Sequence, residues 1–512
     1  MVEIVVCPLL QVIFERVTSH ILKLVAEACG FGDEIDKLRR ALRHIQPLIE
    51  DAEQQQTSDK ALMLWLSELR GVAYDADDLL DEFCISHFSD ELSSPSRHFR
   101  RGFHIWDAVV DFHPQIFIWL GDNIYGDTKR PFKLFGRERT IGPWKNVPRF
   151  VPSSEPEMMA RYRKANSNPG YARLKENAEV IGTWDDHDYG LNNAGKEFHG
   201  KIINQKLLLD FLDEPQDSLR RKQAGVYASY TYGPVGRDVK IVLLDTRYHR
   251  DPIGSDGTIL GDSQWLWLER ELKGPPTAIT IIGSSIQVIS NLSATIHPLF
   301  SMESWGHFPK ERDRLFKLIA YSKRGGVFFI SGDVHFGEIT RYDCALDYPL
   351  YDVTSSGVTQ SIEEVVPPFL RFLVRFVAWL TPSTMRVKGQ SCRYRSCIYG
   401  QPNFGTIEID WDSHPVTLKF KVRDKNGVAV TEVNVSLMEL QPLNSDSETG
   451  DRVKAGHNKR HCTLEVSLPW IVRYRLAILF CFALVVLLLA FLGLAYISFR
   501  VFRLGSCKRK YD

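Results

Sequence analysis

The chain has 512 residues, too many for one compact domain, and with 44% hydrophobic and 25% charged residues it has the composition of an ordinary globular protein, so two or three domains are expected. Lysine plus arginine and aspartate plus glutamate balance at 63 each, and the one dense basic run is Lys508-Arg509-Lys510 at the tail, so there is no electrostatic footprint for nucleic acid. Nine scattered cysteines without paired CxxC spacing argue against a zinc module and against a disulfide scaffold.

The opening MVEIVVCPLLQVIFERV has no basic leader and no small-residue cleavage site before its first charges, unlike a signal peptide. Beyond it, Ile35, Leu38, Leu42, Ile45 and Ile49 recur at three- and four-residue steps, and Leu62, Trp65, Leu69, Val72, Ala76, Leu79 and Phe83 repeat the pattern. With a third helix over residues 9–28, these amphipathic stripes predict a small helical bundle over 1–88. The stretch IQPLIEDAEQQQ followed by LWLSELRGVAYDADDLLDEF resembles the Rx-type coiled-coil domain that opens many plant intracellular immune receptors, which implies a protein partner for the bundle. Pro47 departs from a smooth helix there, because a mid-helix proline removes a backbone bond.

Such receptors continue with a phosphate-cradling loop, and the nearest run here is GLNNAGK (190–196). Glu197 stands where a Ser or Thr should hold Mg²⁺, and a carboxylate there repels phosphate, so a P-loop is not expected. Leucine-rich repeats are not evident either. Residues 89–103 are polar, lack periodicity and read as a linker to something else.

From residue 104 the pattern becomes strands alternating with helices. PQIFIWLGD, AEVIGTWDD, VKIVLLDTR, AITIIGSSIQV and GGVFFISGDVH are apolar runs ending in polar residues, with helical QWLWLERELKG and KERDRLFKLIAYSK between some of them. This predicts an α/β sheet covered on both faces, with its chemistry at the carboxyl ends of the strands. Asp122 leaves the first such strand, where it is placed to bridge two cations, and Tyr125 follows with a phenol suited to ferric iron. Asp185, Asp186, His187 and Asp188 gather three carboxylates around one imidazole, and their repulsion calls for a cation. Asp333 and His335 repeat the arrangement after GVFFIS, alternate residues pointing one way. Oxygen-rich donors favour hard cations such as Ca²⁺, Mg²⁺, Mn²⁺ or Fe³⁺.

In this order GDNIYGD, WDDHDYGLNN, LLDTRYHRD, LGDSQWLWLERELK, ESWGHFPKERDRL, SGDVHFGE and YDVTSSGVTQS resemble the PhoD-like (alkaline phosphatase D) metallophosphatases over residues 105–441. The resemblance implies a metallophosphatase-type αββα sandwich, an iron and calcium site, and a phosphomonoester or phosphodiester substrate. Asp122 is then the bridging ligand, and Tyr125, Asp186, Asp333 and His335 are further metal ligands. His187 assists the leaving group or the phosphate oxygens, beside Asp185. Arg247 pairs with non-bridging phosphate oxygens, or else serves as a salt-bridge partner of Asp245. The reaction implied is hydrolysis by a metal-activated water. Ser284, Ser285 and Gln287 end a strand near the same face.

One departure stands out. The family's first strand ends in a Ser-Cys pair that contributes to the iron site, whereas this chain has SDELSSPSRHFRRGF ahead of IWDAVVDF (105–112), and its nearest upstream cysteine is Cys84. The expectation is therefore a weaker enzyme. The phosphatase domain is placed at 104–360, with a C-terminal part at 361–442. In that part PPFLRFLVRFVAWLTP (367–382) sets Arg371 and Arg375 on an apolar helix that suits either a membrane surface or the sheet, and TIEID, VTLKFKV and AVTEVNVSLMEL alternate as antiparallel strands. A polar stalk (443–470), one transmembrane helix (471–500, uncharged over 476–499) and a basic tail (501–512) complete the chain. Basic residues on both sides of that helix leave its orientation open. Asn291 and Asn434 lie in N-x-S sequons that count only if the domain is lumenal. Two classes of function follow: a membrane-anchored phosphoesterase, and a non-catalytic plant-defence interaction protein acting through the helical bundle.

Overall fold

The computed structural model describes residues 105–508 apart from 130–131, 135–136, 140–149, 254, 297–301, 367–370, 382–384, 389–391, 443–460 and 465–466. The expected helical bundle and the linker lie outside the described residues, as does the segment where the family's first strand would stand. The chain divides into two compact units, Met1–Gly102 and Phe103–Asp512, and the described residues belong to the second.

Helix α1 (Ile105–Asp111) leads into strand β1 (Ile116–Leu120). Two short antiparallel pairs follow, β2 (Asp127–Lys129) with β5 (Phe150–Pro152) and β3 (Phe132–Leu134) with β4 (Arg137–Arg139). Helices α2 (Glu155–Asn166) and α3 (Pro169–Asn177) come next. Asn168 caps α3 by accepting from the Gly170 and Tyr171 amides at 2.9 and 3.2 Å, and Pro169 sits at its first position, where no amide is missed. Strand β6 (Glu179–Thr183) pairs in parallel with β1, Ile118 opposite Ile181, and among the described residues this pair has no third strand. Trp106, Trp119, Tyr171 and Phe211 pack α1, β1, α3 and the later helix α5 (Lys201–Phe211) into one aromatic cluster, with Trp106 and Tyr171 rings 5.2 Å apart. Between β6 and α5 a single turn, α4 (Asp186–Tyr189), carries the acidic run.

The larger sheet has six strands in the order β11-β12-β10-β9-β8-β7. Its interior strands β8 (Val239–Leu243), β9 (Ile279–Ser284), β10 (Val327–Ser331) and β12 (Leu350–Ser355) run parallel, and β7 (Ala228–Tyr232) and β11 (Gly337–Tyr342) close the edges antiparallel. Both β9 and β10 are buried throughout, which is why they read as unbroken apolar runs. Helices α6 (Gly261–Lys273) and α8 (Pro309–Ser322) bury Leu268, Leu272, Leu315 and Ile319 in the same core, and Arg314 lies 4.3 Å from the Trp265 ring centre. The five-residue helix α7 (Leu292–Ile296) lies between them in sequence.

After β12 come the single turn α9 (Ile362–Val365), helix α10 (Arg371–Leu380) and an antiparallel sheet of β13 (Asn403–Asp410), β14 (Thr417–Asp424) and β15 (Ala429–Ser436). Strand β14 alternates buried and half-buried residues, and its Phe420 ring meets Phe328 of β10 at 4.7 Å and Tyr351 of β12 at 5.6 Å, which fixes this sheet on the larger one. Helix α11 (Trp470–Arg473) precedes the long α12 (Arg475–Lys508), whose segment Arg475–Leu494 is long and apolar enough to cross a membrane. A small cluster gathers Leu292 and Ile296 of α7, Val334, Phe336, Ile398 and Leu476, with Val377, Ala378 and Leu380 of α10 against it.

The cysteine spacing argues against a disulfide scaffold, yet two disulfides form. Cys344 joins Cys462 across a sequence separation of 118, and Cys392 joins Cys397. Neither pair has CxxC spacing: the fold brings Cys344 to Cys462, and a short loop brings Cys392 to Cys397, with Cα atoms 5.4 and 5.2 Å apart. The first bridge, with an Asp343 amide donating to the His461 carbonyl at 3.1 Å, fastens residues 461–464 of the expected stalk to the body. Asn291 is buried and donates to the Thr463 carbonyl, so its sequon is inaccessible in the folded chain, whereas Asn434 is exposed.

Candidate metal centre

The parallel register of β1 and β6, with Leu120 opposite Thr183, delivers the GDNIY and WDDHD loops side by side. Gly121 makes this possible. Its φ is +102°, and a Cβ there would lie 2.2 Å from the Asp185 Cβ. Strand β10 ends nearby, and a Cβ on Gly332 would lie 3.1 Å from the Leu120 carbonyl oxygen. Asp122, Asp333 and His335 all take positive φ, at 52°, 69° and 58°, a backbone strain of order 1 kcal/mol or more each that the surrounding packing must offset.

Two sets of side chains converge. Single ligand atoms of Asp122, Asp186 and His187 lie within 4.8 Å of one another, and so do those of Asp185, Asp186 and Asp333. Asp186 is common to both, although the motif reading gives the bridging place to Asp122. Tyr125 stands beside the first set, its hydroxyl 3.4 Å from Asp122 Oδ2 and its ring 4.5 Å from that of His187. The His335 side chain falls in neither set; its ring lies 6.2 Å from Tyr125. Thus His187, read as a catalytic group, sits among carboxylates, while His335, read as a ligand, stands at the margin.

Several partners carry no site assignment in the motif reading. Asp127 Oδ1 lies 2.7 Å from His187 Nδ1 and orients the ring, which leaves Nε2 as the nitrogen available to a ligand. Asp188 Oδ1 accepts from the Asp122 and Asp185 amides at 3.2 and 2.7 Å, tying the two loops together. Glu303, within the ESWGH motif, pairs with Arg247 and, at 3.2 Å, with Arg250. Arg247 is fully buried, its Nε donating to Asp185 Oδ1 at 2.7 Å. Asp245 meets it only through the backbone, accepting from the Arg247 amide at 2.9 Å. Arg247 therefore pins Asp185 and Glu303, a contact between loops that sequence spacing does not show. Ser284 and Gln287 serve the scaffold, with Trp305 Nε1 donating to Ser284 and Gln287 donating to Glu338 at 3.0 and 2.9 Å.

Charge is the dominant property of this cluster. Burial pushes Asp122, Asp188 and Asp333 well above the usual carboxylate range, as their acidic neighbours also do, and burial lifts Asp185 to about 6 against the pull of Arg247. Burial would raise Asp186 too, but His187, Arg247 and the Asn193 amide outweigh it and hold that carboxyl at about 2. Burial works against the His187 cation, yet Asp186, Asp122 and Asp127 carry its pKa up to about 10. His335, by contrast, is lowered to about 4 by burial and by His187. Burial and Asp122 also push the Tyr125 phenol upward.

Four buried carboxylate oxygens, Asp122 Oδ1, Asp185 Oδ2, Asp186 Oδ1 and Asp188 Oδ2, have no hydrogen-bond partner. Orphaned oxygens in an acidic pocket are costly unless a cation meets them, and oxygen donors with one imidazole suit hard cations. The donor set fits the metals the motifs imply. Among the described residues no cysteine belongs to either set.

Residues 92–368 match the PhoD-like phosphatase family, more than half of the chain, and the chain belongs to that family. Residues 5–104 match the Rx N-terminal domain. The chain is 25% identical over 266 residues to alkaline phosphatase D of Bacillus subtilis (strain 168), which covers 46% of this chain and 40% of that protein. It is 40% identical over 73 residues to the putative disease resistance protein RGA4 of Solanum bulbocastanum, covering 14% of this chain and 7% of that one. It therefore spans well under half of the resistance protein and less than half of the phosphatase. A solved structure of PhoD aligns with a TM-score of 0.42 and 16% identity, covering 70% of this chain and 74% of that one.

Proposed function

We propose that this protein is a metal-dependent phosphoesterase anchored in a membrane by α12. The observation that carries the proposal is the pair of acidic sets sharing Asp186, with four buried carboxylate oxygens left unpartnered. Asp122, Asp186 and His187 would hold one cation and Asp185, Asp186 and Asp333 another, with Tyr125 adjacent, and iron and calcium are the metals the family resemblance implies. Bound there, such cations supply an activated water and neutralise charge on a phosphate ester.

The chain's own residues set the stage for that reaction. Asp127 fixes the His187 ring, Arg247 fixes Asp185, and Asp188 holds the loops after β1 and β6 in one register. Arg247 acts by positioning, since it is fully buried with its Nε on Asp185 and its Nη1 on Glu303. His335, half-buried and lowered to about 4, is neutral at physiological pH, so its ring offers a lone pair to a cation rather than a proton to a leaving oxygen. The six-stranded sheet and the β1–β6 pair are read as the inner layers of an αββα sandwich, and the Rx N-terminal domain as the part that binds a protein partner. Without the Ser-Cys strand end the enzyme is expected to be slow.

Full-length protein purified in detergent tests the proposal through metal content and hydrolysis of aryl phosphodiesters and phosphomonoesters. Asp122→Ala, Asp186→Ala and Asp333→Ala should each lower both. Unchanged metal content and rate in all three would refute it. Removal of the chain from Trp470 onward, which keeps the Cys344–Cys462 bridge, should make the protein extractable from membranes by carbonate. Persistent carbonate-resistant sedimentation would assign the anchor to another segment.

A further inference from the structure

Helix α10 is apolar on two sides. Its inward residues Val377, Ala378 and Leu380 pack on the cluster of Leu292, Ile296, Val334, Phe336 and Leu476. Its outward residues Phe372, Leu373, Phe376 and Trp379 are 63%, 42%, 50% and 56% exposed. Positions 372, 376 and 379 follow helical spacing, so the exposed rings form one face. A contiguous aromatic face of this kind is uncommon on a soluble surface and marks something that covers it.

Three observations identify a lipid surface as that cover. First, the inward cluster contains Leu476, in the first turn of α12, so α10 packs where the candidate membrane span begins. Second, the turn leading into α12 also exposes apolar rings, Trp470 at 69% and Tyr474 at 38%, with Ile471 between them, the residue types that settle at a membrane–water boundary. Third, α10 and α11 contain Arg371, Arg375 and Arg473 and no acidic residue, and Arg475 follows. Aromatic residues beside arginines are the composition of a helix lying in the headgroup layer of an anionic bilayer. A second copy of the chain fits less well, because it would not account for the continuity of this face with the start of α12.

We propose that the Phe372, Phe376 and Trp379 face of α10 rests on the surface of the bilayer that α12 enters, giving the chain a second lipid contact; this rests on the reading of α12 as a membrane anchor. The contact is linked to the candidate metal centre. Arg375 donates to both Glu363 oxygens at 3.0 and 2.7 Å, and the adjacent Ile362 amide donates to the His335 carbonyl at 2.8 Å. A bilayer that fixes α10 thereby fixes the height of the site above the lipid.

The test uses full-length protein in phosphatidylcholine vesicles with phosphatidylserine, some carrying lipids brominated near the headgroup end of the acyl chain. The Trp379 emission is obtained as wild type minus Trp379→Phe, a substitution that keeps the ring at that place. Quenching of this emission by brominated lipid, and its loss in Phe376→Glu while the variant still resists carbonate extraction, is the expected result. Trp379 emission unaffected by brominated lipid overturns the proposal. Cross-links between copies through Phe376→Cys in place of quenching overturn it as well, in favour of a dimer. Carbonate extraction of the wild type with Trp379 still quenched would instead remove only the anchor reading, leaving α10 as a surface contact.

Discussion

Arg247 shows how a single side chain decides the state of the site. It is buried between Asp185 and Glu303, and removing one partner from a buried ion network leaves charges uncompensated. Arg247→Met is expected to destabilise the protein by about 3–5 kcal/mol. Denaturant unfolding checks this, and a change in rate without a change in midpoint would instead make Arg247 a substrate contact. Asp352 carries a pH dependence away from the acidic site. Burial raises its pKa to about 6, although Ser331 and the Val288 and Ile289 amides donate to it. Because the folded value lies above the unfolded one, its contribution to stability is full below about pH 4 and is lost as pH rises through about 6. Asp352→Asn should therefore gain stability relative to wild type between pH 4 and pH 7, by roughly 3 kcal/mol at most. Thermal melts at the two pH values check it, and a constant difference would contradict the assignment. Asp122, Asp186 and Asp333 are legible in the sequence because each follows an apolar strand. Asp127 and Glu303 are not, since they act through partners 60 and 56 residues away.

At the scale of elements, the period-two and apolar-run patterns locate β1, β6 and β8 to β10, and the long apolar run locates α12. These signals are local, set by burial of one stretch at a time. Pairing of distant segments leaves no such trace, and the Cys344–Cys462 bridge is the clearest case. By closing a long loop it restricts the unfolded chain. Cys344→Ser should cost on the order of 4–5 kcal/mol by chain entropy. Melting of wild type and variant, with and without reductant, checks this; equal midpoints in oxidising buffer would show that the bridge contributes nothing. The parallel strand ends also could not be brought together from spacing alone, because the closeness of Gly121 to Asp185 depends on the β1–β6 register.

At the scale of the molecule, a PhoD-like phosphatase region is joined in one chain to an Rx N-terminal domain and to a C-terminal helix apolar enough to span a membrane. The central claim is that the acidic cluster is a working metal centre, and Asp186 is the residue that tests it most directly because it belongs to both ligand sets. The decisive measurement is elemental analysis of full-length wild type and Asp186→Ala, purified in parallel and assayed with an aryl phosphodiester. The account predicts bound iron or calcium and measurable hydrolysis in the wild type, with both lost in Asp186→Ala while the fold is retained by circular dichroism. Equal metal content and equal turnover in the two proteins would contradict it.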